Sequence, residues 1–160
     1  MRPGLKVSKP LGVIAAALTP LTAALEPDAG ALVRHCARLL ENGCDGINLL
    51  GTTGEATSLS TRQRLAAMEA VAAAELPLER FMVGTGASAL DDAILLTAKA
   101  EQLAFGGTLV IPPFYYKGVS EDGVFRFYET LIERVRAPAL RLYLYHFPQL
   151  SGVPITEGLV

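Results

Sequence analysis

Short apolar segments of strand length alternate along this chain with longer segments of helical periodicity, and this alternation limits the possible folds more than any other feature. One strand and one helix together recur at roughly 30-residue intervals, which leaves room for a parallel crossover after every strand. The pattern therefore predicts an α/β protein with a parallel sheet. The predicted strands are residues 12–18, 46–50, 81–83, 108–111 and 140–146, and the predicted helices are residues 31–42, 60–76, 88–105 and 120–136.

Helix boundaries are marked by capping residues. Ser60 followed by Gln63 has the spacing of a capping box, and Ser88 with Asp91 is expected to cap the third helix in a similar way. Near the end of the chain, residues 148–154 are predicted to form a loop, and residues 156–160 could begin another helix.

Alternation alone fits both a doubly wound open sheet and a (β/α)8 barrel. The barrel is favoured because the unusual loop residues all follow the carboxyl ends of predicted strands, where barrel enzymes place their active sites. A complete barrel needs about 250 residues, so a chain of 160 residues has room for about the first five βα units. We therefore predict an N-terminal arm at residues 1–10 and the N-terminal part of a (β/α)8 TIM barrel at residues 11–160.

Composition excludes several classes of protein. The formal net charge of −2, with acidic and basic residues interspersed, gives no basic surface for nucleic acid or an anionic membrane. The apolar runs are too short to span a membrane, and the N-terminus lacks the apolar core of a signal peptide, so a cytoplasmic protein is expected. Cys36 and Cys44 have neither the spacing nor the histidine partners of a zinc site and are expected to be reduced, buried thiols. Neither a metal nor a cofactor is indicated.

The loop Gly51-Thr52-Thr53-Gly54-Glu55 directly follows the second predicted strand. Glycines allow a tight turn that brings backbone N–H groups close to a ligand, and the threonine hydroxyls can donate or accept hydrogen bonds. This combination suits a carboxylate or a phosphate. An ordinary strand-to-helix turn has the same composition, so that alternative stays open.

A second glycine-rich segment, residues 84–89, fits the GxGxxA pattern of a dinucleotide-binding loop. It belongs to the third βα unit instead of the first, and no acidic residue closes a second strand after it; Glu101 falls within the helix. A dinucleotide-binding domain is therefore a minor alternative.

Three segments in order, Gly51 to Glu55, the Pro113-Phe114-Tyr115-Tyr116 region and Tyr145-His146-Phe147-Pro148, resemble the dihydrodipicolinate synthase and N-acetylneuraminate lyase family. The resemblance implies a (β/α)8 barrel, usually a homotetramer built as a dimer of dimers. It also implies a lyase of the class I aldolase type that makes or breaks a carbon–carbon bond next to the keto group of pyruvate or a related 2-keto acid. The co-substrate would be an aldehyde or a sugar acid, and the central intermediate a Schiff base with a lysine.

The same resemblance implies roles for individual residues. Thr53, with backbone amides of the loop at Gly51 and Gly54, would bind the pyruvate carboxylate. Tyr145 would move protons as a general acid and base, with Thr52 as its hydrogen-bonded neighbour. Tyr115 would be the third member of this proton relay, contributed to the adjacent subunit, with Tyr116 as its substitute if the register differs by one residue. Each tyrosine has the ordinary alternative of an interface or core aromatic.

Two departures from the family pattern are visible. Leu150 stands where the synthases have an arginine for the second carboxylate, which places the synthase activity in doubt and favours the sialic acid lyase and sugar-acid aldolase branches. The Schiff-base lysine belongs on the strand after the next helix, outside this chain, so the 160 residues alone are expected to be inactive. The four lysines present are expected to be solvated surface charges: Lys6, Lys9, Lys99 and Lys117. A truncated, non-catalytic relative that binds a 2-keto acid or regulates a partner is the remaining alternative.

Overall fold

A computed structural model describes residues 12–160, and this part of the chain forms one parallel five-stranded sheet. The predicted arm at residues 1–10 lies outside the described residues. All five predicted strands are present, each within its predicted region or one residue beyond it. The strands are β1 (Ile14–Ala16), β2 (Gly46–Leu49), β3 (Phe81–Gly84), β4 (Gly107–Val110) and β5 (Leu142–Leu144).

The order of the strands in the sheet decides between the two α/β architectures. Every strand pairs in parallel with the next strand in sequence, giving the order β1-β2-β3-β4-β5. Right-handed crossovers between neighbours that always step in one direction place every helix on the same face of the sheet. A doubly wound sheet would instead reverse direction at a switch point. The chain is therefore part of a TIM barrel, as predicted.

Four helices connect the strands, and three of them begin at a residue whose side chain caps the helix: Asp28, Ser60 and Ser120. The Asp28 carboxylate accepts a hydrogen bond from the N–H of Ala31 at 2.8 Å. Ser60 and Gln63 form the predicted capping box. None of the helices within residues 12–160 is both long enough and apolar enough to cross a bilayer. The helices are α1 (Ala29–Glu41), α2 (Thr61–Ala72), α3 (Leu90–Gln102) and α4 (Glu121–Val135).

Three local predictions differ from the structure. The N-cap of α3 is Ala89, which makes no side-chain cap, so Ser88 does not have the predicted role; Asp91 and Asp92 in the first turn favour the helix dipole instead. Within the predicted loop 148–154 lies a short helix α5 (Pro148–Ser151), because proline is well suited to a first helical position. The end of the chain forms only a 3-10 turn, Glu157–Leu159.

The two faces of the sheet differ in burial because the helices cover only one of them. Ile47 and Phe81 are paired in the sheet and both are buried beneath the helices. Their neighbours Asn48 and Met82 point to the opposite, inner face and are only half-buried. The core therefore lies between sheet and helices, and the inner face of the barrel segment remains partly open.

Candidate active site

A cavity of about 160 Å³ lies at the carboxyl edge of the sheet. Its wall is built from residues at or just after the ends of four successive strands, β2 to β5, together with the first turn of α2. Barrel enzymes assemble their active sites at this edge. The lining residues after or at the strand ends are Leu50, Gly51, Thr52, Gly84, Gly86, Leu109, Ile111 and Tyr145, and further residues of the wall are Thr57, Arg64, Phe114 and Leu150.

The loop after β2 is a tight turn that leaves hydrogen-bond donors free. Leu50 and Glu55 at its two ends have φ values of 54° each, in the left-handed region. The Glu55 N–H donates to the Thr52 carbonyl at 3.1 Å, which closes the turn. Among the described residues, the N–H groups of Thr52 and Thr53 have no hydrogen-bond acceptor. The turn can therefore offer backbone donors to an anion.

Three of the residues predicted for the site, one for substrate binding and two for proton transfer, lie at the same cavity. Gly51, Thr52 and Tyr145 all line the cavity, although Tyr145 follows a different strand. Thr53 is exposed on the same turn, next to Thr52, and is not part of the cavity wall. The structure thus brings the loop and the tyrosine to one site while leaving the Thr53 side chain at its edge.

The other predicted site residues lie apart from the cavity. Gly54 is buried beneath the turn, where its carbonyl accepts a hydrogen bond from the Thr19 hydroxyl at 2.7 Å. Tyr115 is 72% exposed and packs edge-on against Tyr116, with ring centroids 5.0 Å apart. Gly54 therefore anchors the loop to the end of β1, and Tyr115 projects from the rim.

Backbone pairing positions Tyr145 on the inner face. Its N–H donates to the Val110 carbonyl at 3.0 Å, which continues the ladder between β4 and β5 by one residue. Tyr143 pairs with Leu109 on the inner face of the sheet, and alternation along the strand brings Tyr145 to the same side. The half-buried phenol therefore faces the interior of the barrel segment, beside the cavity.

The outer rim of the cavity is held by Lys117. Its ammonium group donates to the Phe114 carbonyl and, at 2.8 Å, to the Ser151 carbonyl. These bonds join the loop after β4 to helix α5, which carries Leu150. Lys117 is exposed, as expected for a surface charge, and its Nζ atom in addition bridges two elements of the wall.

Arg64 is the charged residue of the wall, and no sequence pattern described above predicted it there. Its side chain is buried, and its guanidinium donates to the carbonyl oxygens of Gly84 and Gly86. A signal existed, since Arg64, Met68 and Val71 share the buried face of α2 at helical spacing. A cation in an apolar stripe is unusual enough to mark a site.

The dinucleotide alternative finds no support in this geometry. Thr85 is buried and its hydroxyl accepts a hydrogen bond from the Thr97 hydroxyl at 2.8 Å. Gly86 packs against Ile111 too closely to admit even a Cβ atom, so the loop after β3 has no open cradle for a pyrophosphate. Within residues 12–160, no three His, Cys, Asp or Glu side chains are grouped as metal ligands.

Comparison with known proteins agrees with this architecture. Residues 9–159 match the model of the dihydrodipicolinate synthetase family. An uncharacterized DapA-like lyase of Chloroflexus aurantiacus is 38% identical over 155 residues, covering 96% of this chain and 51% of that protein.

Solved structures give the same result. Dihydrodipicolinate synthase from Agrobacterium tumefaciens superposes with a TM-score of 0.87 at 32% identity, over 92% of this chain and 52% of that one. YagE, a prophage protein of the family from E. coli K12 solved with pyruvate, superposes with a TM-score of 0.82 at 29% identity, over 92% and 48% of the two chains. The chain spans about half the length of these relatives.

Proposed function

This chain belongs to the dihydrodipicolinate synthetase family, and from that premise we propose that it provides the 2-keto-acid-binding and proton-transfer loops of a Schiff-base lyase. The observation that carries the proposal is the meeting of Gly51, Thr52 and Tyr145 at one cavity. Pyruvate is the proposed keto acid, and the pyruvate found with YagE, a related protein, supports that choice.

The loop after β2 is proposed to bind the substrate carboxylate. The N–H groups of Thr52 and Thr53 lack acceptors within the described residues, and hydrogen bonds from N–H groups to a carboxylate are stronger than those to a neutral acceptor. The Thr53 hydroxyl, at the edge of the same turn, would add a further donor. Gly51 and Gly54 keep the turn narrow enough for this approach.

Proton transfer is proposed for Tyr145, with Thr52 in the same cavity wall. An unperturbed phenol, with a pKa near ~10, is a poor acid and base at neutral pH unless a hydrogen-bonded neighbour shares its proton. Thr52 lines the same cavity and carries a hydroxyl that both donates and accepts. Tyr115, exposed at the rim, is proposed to reach the relay of an adjacent subunit in a homo-oligomer.

The nucleophile is proposed to come from outside these residues. Among the described residues, no lysine lines the cavity: Lys99 pairs with Glu69 on the helices, and Lys117 holds the rim. In the complete site, a lysine nitrogen would bond to the keto carbon and the keto oxygen would leave as water. The resulting protonated imine would accept the electron pair of the bond between its α-carbon and the hydroxyl-bearing carbon beyond it, forming an enamine. Loss of the hydroxyl proton to a base would release that carbon as an aldehyde.

Leu150 restricts the chemical class of the proposed co-substrate. It lines the cavity together with Phe114, so an apolar side chain occupies the position where the family's synthases have an arginine. A second carboxylate would find no cationic partner in Leu150. We therefore propose cleavage or synthesis of a keto acid with an uncharged aldehyde portion, in preference to the synthase reaction.

A binding protein without turnover is the second candidate. The absence of a lysine from the described wall of the cavity favours it. Such a protein would bind the 2-keto acid through the same loop, so the two candidates differ only in covalent chemistry.

Borohydride reduction in the presence of pyruvate, followed by intact-mass measurement, tests whether a lysine of these 160 residues forms the Schiff base, which neither candidate predicts. We expect the 160-residue chain to bind pyruvate, detected by shifts of the Gly51 and Thr52 amide signals, and to remain unmodified by borohydride. A covalent pyruvate adduct would contradict the assignment of the lysine to another part of the protein.

Matched variants test the site itself. Thr53→Val keeps the shape of the side chain but removes the hydroxyl proposed to donate to the carboxylate, and should weaken pyruvate binding by roughly threefold to tenfold, the value of one hydrogen bond. Tyr115→Phe, at an exposed hydroxyl, should leave the affinity of the isolated chain unchanged. Equal effects of the two variants would argue against the cavity as the binding site.

A further inference from the structure

Arg64 is a buried cation in the wall of the cavity. Its side chain is only 4% exposed. One terminal nitrogen, Nη2, donates to the Gly84 carbonyl at 2.8 Å, and the other, Nη1, donates to the Gly86 carbonyl at 3.1 Å. The guanidinium is thus fixed in place by the loop that follows β3.

The charge of Arg64 is not neutralised by an ion pair. Within residues 12–160, no carboxylate lies within salt-bridge distance of Arg64, and its Nε atom is buried without a hydrogen-bond partner. Burial lowers the pKa of Arg64 to about 10, and the more distant Asp92 carboxylate partly opposes this shift. Two carbonyl oxygens orient the guanidinium but leave its net charge in place. Such a charge acts strongly on its surroundings because the interior screens it less than water does.

Nothing else in the described wall carries charge. The remaining lining side chains are apolar or hydroxyl-bearing, and those with hydroxyls are Thr52, Thr57 and Tyr145. The electrostatic character of the cavity therefore depends on one residue.

We infer that Arg64 determines the preference of this cavity for an anionic 2-keto acid over a neutral carbonyl compound, acting through its charge. The inference rests on the proposed function, since it names a specificity residue for the same site. Arg64 also has a structural role, because its two hydrogen bonds hold Gly84 and Gly86 in the wall. A purely structural role would affect anionic and neutral ligands alike, whereas the role in specificity affects mainly the anion.

The test compares pyruvate with methyl pyruvate, its uncharged ester, by ligand-observed NMR titration of the 160-residue chain. Arg64→Gln keeps a hydrogen-bond donor but removes the charge, and should lower the ratio of pyruvate to methyl pyruvate affinity by roughly tenfold. Arg64→Lys keeps the charge and should preserve that ratio to within about threefold, even if both affinities fall.

Asp92→Asn tests the same electrostatic effect without touching the guanidinium. Removing this opposing charge should raise the preference for pyruvate by roughly threefold. Asp91→Asn is the matched control, since Asp91 is exposed and paired with Arg134, and it should leave the ratio unchanged. If Arg64→Gln does not fold, the affinity ratios of Asp92→Asn and Asp91→Asn test the inference without it.

The outcomes separate the inference from the proposed function. Pyruvate binding by the wild-type chain with an unchanged affinity ratio in both Arg64→Gln and Asp92→Asn would overturn the inference alone. Failure of the wild-type chain to bind pyruvate would overturn the proposed function, and the inference with it.

Discussion

Gly84 packs against Leu50 so closely that a side chain on Gly84 would overlap the Leu50 carbonyl oxygen. This contact brings the end of β3 against the residue that precedes the GTTGE loop, and both residues line the cavity. The obstructing atom belongs to the backbone, so it cannot rotate away as a flexible side chain would.

We expect Gly84→Ala to destabilise the chain by about 1–3 kcal/mol, because the two strand ends must separate to admit the methyl group. Gly30→Ala is the control, since Gly30 is exposed within α1 and alanine favours a helix by up to about 1 kcal/mol. Urea unfolding of both variants measures the difference. Equal stability of Gly84→Ala and wild type would show that the strand ends are not in contact.

The capping box of α2 gives a second prediction. Ser60→Ala should lower the free energy of unfolding by about 1 kcal/mol, because the Ser60 hydroxyl accepts from the Gln63 N–H. Ser88→Ala should have almost no effect, because Ser88 does not cap α3. Denaturant midpoints of the two variants provide the comparison, and a larger loss for Ser88→Ala would contradict the observed helix boundary.

Thiol reactivity should distinguish the two cysteines. Cys36 is fully buried in the core, and burial raises the pKa of its thiol to about 11, whereas Cys44 is half-buried. Ellman's reagent near pH 8 should therefore modify Cys44 readily and Cys36 only after unfolding.

The same shift predicts a pH dependence of stability. In the unfolded chain the Cys36 thiol ionises near pH ~8.5, while the folded state retains the proton up to about pH 11. The unfolded state therefore binds fewer protons in this window, and the free energy of unfolding falls as the pH rises through it. Cys36→Ala should remove this component of the slope and Cys44→Ala should not; identical slopes would refute the assignment.

Lys117 should control the mobility of the rim. Lys117→Met removes both bonds between its ammonium group and the carbonyls of Phe114 and Ser151. We expect the free energy of unfolding to fall by about 1 kcal/mol. This is less than the loss of a buried charged donor would cost, because Lys117 is exposed. Amide hydrogen exchange should accelerate at Ser151 in α5 and at its C-cap residue Gly152, since the helix loses its tether.

Lys99→Met is the matched control, because it removes an ammonium group that pairs with Glu69 away from the rim. It should leave exchange in α5 unchanged. Faster exchange in both variants would indicate a general loss of stability instead of a local tether.

Sequence reasoning recovered the elements of this fold because local signals specify them. Apolar runs marked all five strands, and Ser60 with Gln63 marked a helix start that depends on neighbours three residues apart. The prediction that Ser88 caps α3 was wrong, because the backbone places the next residue, Ala89, at the N-cap. Capping depends on backbone geometry within one or two residues, which composition does not resolve.

The residues of the candidate site also divide into those that the sequence predicted and those that it did not. Thr52 and Tyr145 were identified through the resemblance to the family, in motifs at strand ends, and parallel pairing brings strand ends to one edge. Arg64 was missed because its hydrogen-bond partners, Gly84 and Gly86, follow another strand, and no local pattern links them to α2. The bridge made by Lys117 was missed for the same reason.

By itself, the sequence determined an alternating α/β chain with a glycine- and threonine-rich loop after its second strand and tyrosines after later ones. Only the tertiary structure decided the order of strands, the side of the sheet that remains open, and the placement of a buried cation among hydroxyl and apolar groups. The reason is physical: periodicity and capping act between neighbours along the chain, whereas burial and charge in the cavity depend on contacts between distant segments.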